Sequence, residues 1–252
     1  MSRYSSQWIK VSEPSPHILL VELARSPANA FCTEFWVAYR DLFASLANDR
    51  YDVRALVLSS VFPKYFSASL DLEEASDLSS NANRDGARAS LAKKDMILAF
   101  QAALGSVEKA TYPVIAAVHG HCIGIGVDMI GPCDIRYSAS NAKFSIKFTY
   151  TSPEKLGLVS KVVEGGRDEV VKEALNVAQL IASQSPVAIS GSKALLTHSR
   201  DHPTAENLVY TALWNSVALD TNDIQDRRVT STKKKRVRFA SLNLPEGKSA
   251  KL

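Results

Sequence analysis

One stretch, residues 113–137, constrains this chain more than any other: Pro113-Val-Ile-Ala-Ala-Val-His-Gly-His-Cys-Ile-Gly-Ile-Gly-Val-Asp-Met-Ile-Gly-Pro-Cys-Asp-Ile-Arg-Tyr137. Its first part is a continuous apolar run of strand length, bounded by a proline and a glycine, which predicts a buried strand. Gly120, Gly124 and Gly126 punctuate the turn that follows, a short helix opens near Val127, and a second strand ends the run. A helix start presents backbone N–H groups with no intrahelical partner, and these suit a developing oxyanion. Asp128 places a carboxylate, a group able to move a proton, beside that position.

The rest of the chain alternates short apolar strands with amphipathic helices, the rhythm of an α/β fold. Strands are expected at 17–23, 55–59, 114–118, 135–138 and 143–146. A helix is expected at 33–46, with Phe35, Trp36, Leu42, Phe43 and Leu46 near helical spacing. A second spans 87–109, with Leu91, Met96, Ile97, Phe100, Leu104 and Val107 on one face. Residues 71–78 read as an acidic helix and 79–86 as a polar loop. Beyond a strand ending at Val163, segments 169–183, 186–198 and 203–219 all read as helices, and no internal repeat is visible.

A chain of 252 residues accommodates one α/β domain with a sizeable core, or a domain with a helical tail. Charged residues make up 22% and the net charge is +4, a balance that does not point to nucleic acid and does not oppose an anionic ligand. No apolar run approaches membrane-spanning length, and the first residues lack the apolar core of a signal peptide. Cys32, Cys122 and Cys133 are odd in number and lack zinc-site spacing, so reduced, mostly buried thiols of an intracellular protein are expected. His119 and His121 are a tempting metal pair, but no further ligands lie nearby in sequence, and turn or core histidines are the reading taken, with no metal.

The 113–137 run resembles the crotonase, or enoyl-CoA hydratase/isomerase, family. Leu19-Leu-Val-Glu-Leu-Ala-Arg-Ser-Pro-Ala-Asn-Ala30 resembles that family's first strand and the loop that holds the CoA nucleotide. Ala55-Leu-Val-Leu-Ser-Ser60 resembles its next core strand, and Phe66-Ser-Ala-Ser-Leu-Asp-Leu72 the segment the family writes Phe-Ser-Ala-Gly-x-Asp-Leu. Val127-Asp128 and Cys133-Asp-Ile-Arg-Tyr137 are most similar to the peroxisomal and mitochondrial dienoyl-CoA isomerase branch. The resemblance implies a crotonase (ClpP-like) spiral of β-β-α units with a C-terminal helical region. It divides the chain into a core (1–165), a helical oligomerisation region (166–240) and a flexible tail (241–252). It also implies an acyl-CoA substrate, no separate cofactor, and a homotrimer or hexamer.

The same resemblance assigns roles. Two backbone N–H groups, at Leu70 and Ile125, would form an oxyanion hole for the thioester carbonyl, and Asp128 would transfer a proton on the acyl chain. Arg25 and Ala28 would sit by the CoA phosphates and adenine, with Phe66, Ala68, Leu70 and Gly124 further along the ligand and Asp71 capping the next helix. Arg25 reads equally as a surface charge after a strand, and Asp128 as a helix-dipole acid. Two departures touch the hole: Ser69 stands where a glycine is usual, and Ile125 stands in the middle of a glycine triplet. A β-branched residue there is strained if its φ is positive and crowds the thioester otherwise.

After Lys147 relatives carry about forty residues, room for two or three elements of average length, for which this chain has only a short bridge near 148–155. In the dienoyl-CoA isomerase branch that segment supplies a functional glutamate and an aspartate. Neither has a match here; Glu154 reads as a solvated loop acid. The expected activity is therefore an acyl-CoA double-bond isomerase in fatty-acid or related metabolism. A hydratase, including one in a secondary-metabolite pathway, and a catalytically degenerate CoA-binding subunit are the alternatives. Ala250-Lys251-Leu252 resembles the peroxisomal tripeptide Ser-Lys-Leu, implying the peroxisomal import receptor as a partner and the peroxisome as location. The basic run 233–238 reads as a solvated tail, a contact to CoA phosphate, or a nuclear address.

Overall fold

The computed structural model describes residues 2–49, 51–71, 74, 85–146, 149–150, 157–232 and 237–242. Most of the bridge near 148–155, including Glu154, lies outside them, as do most of the basic run and the C-terminal tripeptide.

The elements in chain order are β1 (Ile9–Ser15), β2 (Ile18–Leu23), α1 (Thr33–Asn48), β3 (Ala55–Ser60), β4 (Tyr65–Ser67), α2 (Gly86–Leu104), α3 (Ser106–Lys109), β5 (Val114–Val118), β6 (His121–Ile123) and α4 (Ile125–Ile130). There follow β7 (Ile135–Ala139), β8 (Lys143–Ile146), β9 (Thr149–Tyr150), β10 (Lys161–Val163), α5 (Arg167–Ala182), α6 (Pro186–His198), α7 (Thr204–Ala218) and α8 (Asn222–Thr232). Six strands form one sheet in the order β1-β2-β3-β5-β7-β10, antiparallel only between β1 and β2. A smaller sheet, β4-β6-β8-β9, is parallel across its first three strands. The chain alternates between the two sheets and so winds as a spiral of β-β-α units.

Central strands read as unbroken apolar runs because both faces are covered. Leu56 and Leu58 of β3, with Val114, Ala116 and Val118 of β5, point into a core shared with α1. Their alternates, Ala55, Val57, Ile115 and Ala117, point into a second core against α5. That helix presents Val170, Val171, Ala174, Ala178 and Ala182, mostly small residues that let it lie close on the sheet. Thus α5, expected in the C-terminal helical region, is a layer of the core.

Three other expectations need correction. Pro14 and Pro16 hid β1, which tolerates Pro14 because it is an edge strand with a register shift between Ser12 and Ser15. The strand β6 inserts into what reads as a plain glycine turn. The expected helix 87–109 is two helices broken at Gly105, and its apolar face is only partly used: Leu91 and Ile97 are exposed. Only the end of α2 reaches α1, where Phe100 meets the Phe31 and Trp36 rings edge-on at 6.3 and 6.0 Å.

Candidate active site

Parallel pairing of β4 with β6 (Tyr65 beside His121, Ser67 beside Cys122) makes both strands leave the small sheet side by side. Residues 68–71 follow the first and 124–130 follow the second. Gly124 takes the turn at φ +52, which only glycine adopts without strain, and α4 begins one residue later. Ile125 does not have a positive φ, and its side chain packs against the core beneath. The strain expected of a positive φ at this position does not arise, because Gly124 carries the turn.

Ser69, in contrast, has φ +78, a left-handed conformation costing a non-glycine residue about 1–2 kcal/mol. It is held there from several sides. Phe31 N–H donates to Ser69 O at 2.7 Å, Asp71 N–H donates to Phe31 O at 2.9 Å, and Ser69 N–H donates to Ser67 Oγ at 3.3 Å. The Phe31–Leu70 bridge thus leaves the Leu70 N–H with no acceptor among the described residues. Ile125 N–H donates to Ser69 Oγ in a long contact of 3.4 Å. Ser69 therefore joins the two segments that carry the expected donors.

Asp128 lies one turn along α4 from Ile125. It is the exposed residue among buried Gly126, Val127, Met129 and Ile130, and its carboxylate has no hydrogen-bond partner among the described residues. Partial desolvation raises its pKa above the ordinary aspartate value. Burial pushes the Cys133 thiol to about 12. Cys122 is pushed higher still, by burial first and the nearby Asp128 charge second. Both thiols are inert at neutral pH, and all three cysteines are free and buried.

The loop at 25–31 lies alongside. Ala68 N–H donates to Ala28 O at 3.0 Å. Arg25 donates to Asp71 Oδ2 at 2.7 Å and to Ala30 O at 2.8 Å. Arg25 and Asp71 thus form a largely buried ion pair. The adjoining open cleft of about 820 Å³ also carries Glu34 and Glu74, making its lining richer in carboxylate than in cation. The Phe66 ring is fully buried in the core, below the segment it was expected to serve as a ligand contact.

Asn29 was not singled out in the sequence, yet it organises this region. It is fully buried at φ +54, accepts from Arg25 N–H at 2.8 Å, and donates to Ser60 Oγ at 2.7 Å and Phe66 O at 2.9 Å. Ser67 Oγ donates to its carbonyl at 2.9 Å. An asparagine in a proline-containing loop is the available signal, since asparagine tolerates left-handed backbone.

His119 and His121 do not form a metal pair. His119 is buried with Nε2 3.0 Å from Phe62 O, and burial lowers its pKa; His121 packs on the Tyr65 ring at 5.4 Å. Among the described residues no group of three or more His, Cys, Asp or Glu is placed to hold a metal ion, and no helix is long and apolar enough to cross a membrane.

The spiral of β-β-α units brings the segments 68–71 and 124–130 side by side, and comparison with known proteins identifies the family. The family model described as enoyl-CoA hydratase/isomerase matches residues 13–152. The chain is 34% identical over 261 positions to a mouse protein named mitochondrial Delta(3,5)-Delta(2,4)-dienoyl-CoA isomerase, covering 89% of this chain and 79% of that one. It is 33% identical over 253 positions to an Arabidopsis thaliana protein of that name from the peroxisome, covering 86% and 90%. Among solved structures, Pseudomonas aeruginosa DspI superposes with a TM-score of 0.80 at 23% identity over 94% of this chain and 98% of its own, a likeness of fold. The chain belongs to the enoyl-CoA hydratase/isomerase family, a family of enzymes. Within it, the protein is closely related to the dienoyl-CoA isomerase branch. The mouse alignment has more positions than this chain has residues, so that relative carries residues with no counterpart here.

Proposed function

We propose that this protein moves double bonds in an acyl-CoA thioester, converting a 3,5-dienoyl-CoA to its conjugated 2,4 isomer. The carrying observation is Asp128, a carboxylate with a raised pKa and no hydrogen-bond partner among the described residues, one helical turn from Ile125. The reaction needs one proton lost from C2 and one gained at C6, with the electron pair passing through a thioester enolate. Asp128 takes the first proton; it or solvent returns the second. Hydrogen-bond donors at the thioester oxygen hold the transient charge. The names of the mouse and Arabidopsis relatives support this substrate class.

The test is purified protein mixed with a 3,5-dienoyl-CoA, the ultraviolet absorbance of the conjugated product being followed. Turnover supports the isomerase. Folded protein that binds the thioester without turnover selects a non-catalytic CoA-binding subunit. That reading is favoured by one observation: the mouse relative carries residues that have no counterpart in this chain.

We also assign the protein to the peroxisome, on Ala250-Lys251-Leu252, with the import receptor as partner. The Arabidopsis relative is named peroxisomal and the mouse relative mitochondrial. A fluorescent fusion that leaves these residues last, compared with one lacking them, tests the assignment. Self-association into a trimer or hexamer is proposed for the apolar face of α7.

A further inference from the structure

The donors at this site are not simply two backbone amides. Ile125 N–H is directed at Ser69 Oγ, 3.4 Å away, rather than at open space. The Ser69 side chain fills the place beside Gly124 that a glycine at position 69 would leave empty. A methyl carbon built on Gly124 would lie 2.2 Å from Ser69 Oγ and 2.9 Å from its Cβ. The hydroxyl thus accepts from one amide while its own proton finds no acceptor among the described residues. Accepting a hydrogen bond polarises a hydroxyl and strengthens it as a donor.

We infer that Ser69 Oγ–H replaces the Ile125 amide as the second donor to the thioester oxygen, Leu70 N–H being the first. The inference rests on the acyl-CoA reading of this site. Ile125 then acts at one remove, by holding and polarising the hydroxyl. The carbonyl oxygen sits about 2.7–2.8 Å beyond Ser69 Oγ, an ordinary O–H···O distance. As Asp128 draws a proton from the acyl chain, the electron pair shifts to that oxygen. Ser69 keeps its proton throughout and supplies a hydrogen bond, not an acid.

The strained backbone at Ser69 agrees with this role. A glycine would relieve φ +78, yet the chain carries a side chain whose only polar atom faces the other donor segment.

The test uses Ser69→Ala in the full chain, which removes the hydroxyl and keeps Cβ and the backbone demand. Turnover of a 3,5-dienoyl-CoA is expected to fall about 10- to 100-fold, toward the range for loss of one oxyanion donor, with KM little changed. The second readout is the absorption band of bound 2,4-decadienoyl-CoA. Wild type is expected to shift it to the red by polarising the carbonyl, and Ser69→Ala to lose that shift. Folded Ser69→Ala that matches or exceeds wild type in rate and spectrum overturns the inference, because the hydroxyl is then a plug.

Should Ser69→Ala not fold, wild-type amide NMR decides. On binding 2,4-decadienoyl-CoA the Leu70 proton moves downfield while Ile125, already bonded to Ser69, moves little. A large downfield shift at both overturns the inference. Failure of the isomerase reading is separable: a red shift lost in Ser69→Ala without wild-type turnover keeps the donor assignment and removes the reaction. Absence of thioester binding in wild type overturns both.

Discussion

The side-chain amide of Asn29 donates to the Phe66 carbonyl at 2.9 Å, tying the loop after β2 to the strand that delivers Ser69 and Leu70. Its Oδ1 accepts from Arg25 N–H and its second N–H reaches Ser60 Oγ, all in a fully buried position. Asn29→Ala leaves buried donors and acceptors unpaired, and alanine suits φ +54 less well. The expected loss is about 3 kcal/mol, lowering Tm by roughly 6–12 °C for a chain of this size. A melt followed by circular dichroism checks it, and an unchanged Tm would show that the network is not holding the loop.

Asp128→Asn keeps size and shape but removes the base. Turnover should drop by about 10²–10⁴-fold. The pKa of Asp128 is raised by desolvation, and the base acts ionised. Wild-type activity should therefore fall as pH drops through a value higher than that of an ordinary aspartate. A kcat/KM profile in both proteins checks this. The same acid limb and rate in the variant would exclude Asp128 as the base.

Much of this was legible in sequence because the family's chemistry uses backbone groups whose positions follow from strand and turn order. The apolar run at 114–118, the glycine at 124 and the acid at 128 are visible without coordinates. What Ser69 does was not visible. A sequence says only that a glycine is replaced, whereas the direction of the new hydroxyl depends on Gly124 across the gap between two strands. The pairing of Arg25 with Asp71, 46 residues away, emerges only in the fold. Asn29 was missed for the related reason that a polar loop residue reads as solvated until its burial is known. The polar segment that forms α8 offered no apolar face to read.

Lys193 tests how α6 is attached. Its buried ammonium donates to Val107 O, Tyr112 O and Asp134 Oδ2 at 2.8, 2.9 and 2.9 Å, and Asp134 Oδ2 also accepts from Val114 N–H at 2.8 Å. Lys193→Met removes the cation and strands Asp134 and two carbonyls, at an expected cost of about 3–5 kcal/mol in urea unfolding. Burial lowers the folded-state pKa of Lys193 although Asp134 opposes the shift. Between that value and the unfolded one, the unfolded chain binds more protons, so this group's contribution to stability grows as pH rises through the window. The variant should lack that alkaline increment; a variant as stable as wild type at every pH would make the contact incidental.

Val209, Leu213 and Val217 repeat every four residues along α7, each more than 60% exposed, with Leu208 beside them. A stripe of that kind is costly to leave in water. Sedimentation velocity should show wild type above the monomer mass of 27.5 kDa, and Leu213→Glu with Val217→Glu shifted toward it. A monomeric wild type at micromolar concentration would remove the proposed assembly through this face.

Gly124→Ala separates packing from backbone at the hole. The added methyl would sit 2.2 Å from Ser69 Oγ and must also accept φ +52, so the variant should lose about 2–4 kcal/mol of stability and most of its turnover. Ser69→Gly alone relieves φ +78 and should stabilise the fold by about 1 kcal/mol. In the double variant the colliding Cβ and Oγ are gone, so only the backbone term at residue 124 remains. Its stability should exceed the sum of the two single effects by about 1–2 kcal/mol, a coupling read from denaturant unfolding of all four proteins. Simple additivity would mean that Ser69 and Gly124 do not meet, and the hydroxyl could not then receive Ile125 N–H in the arrangement described.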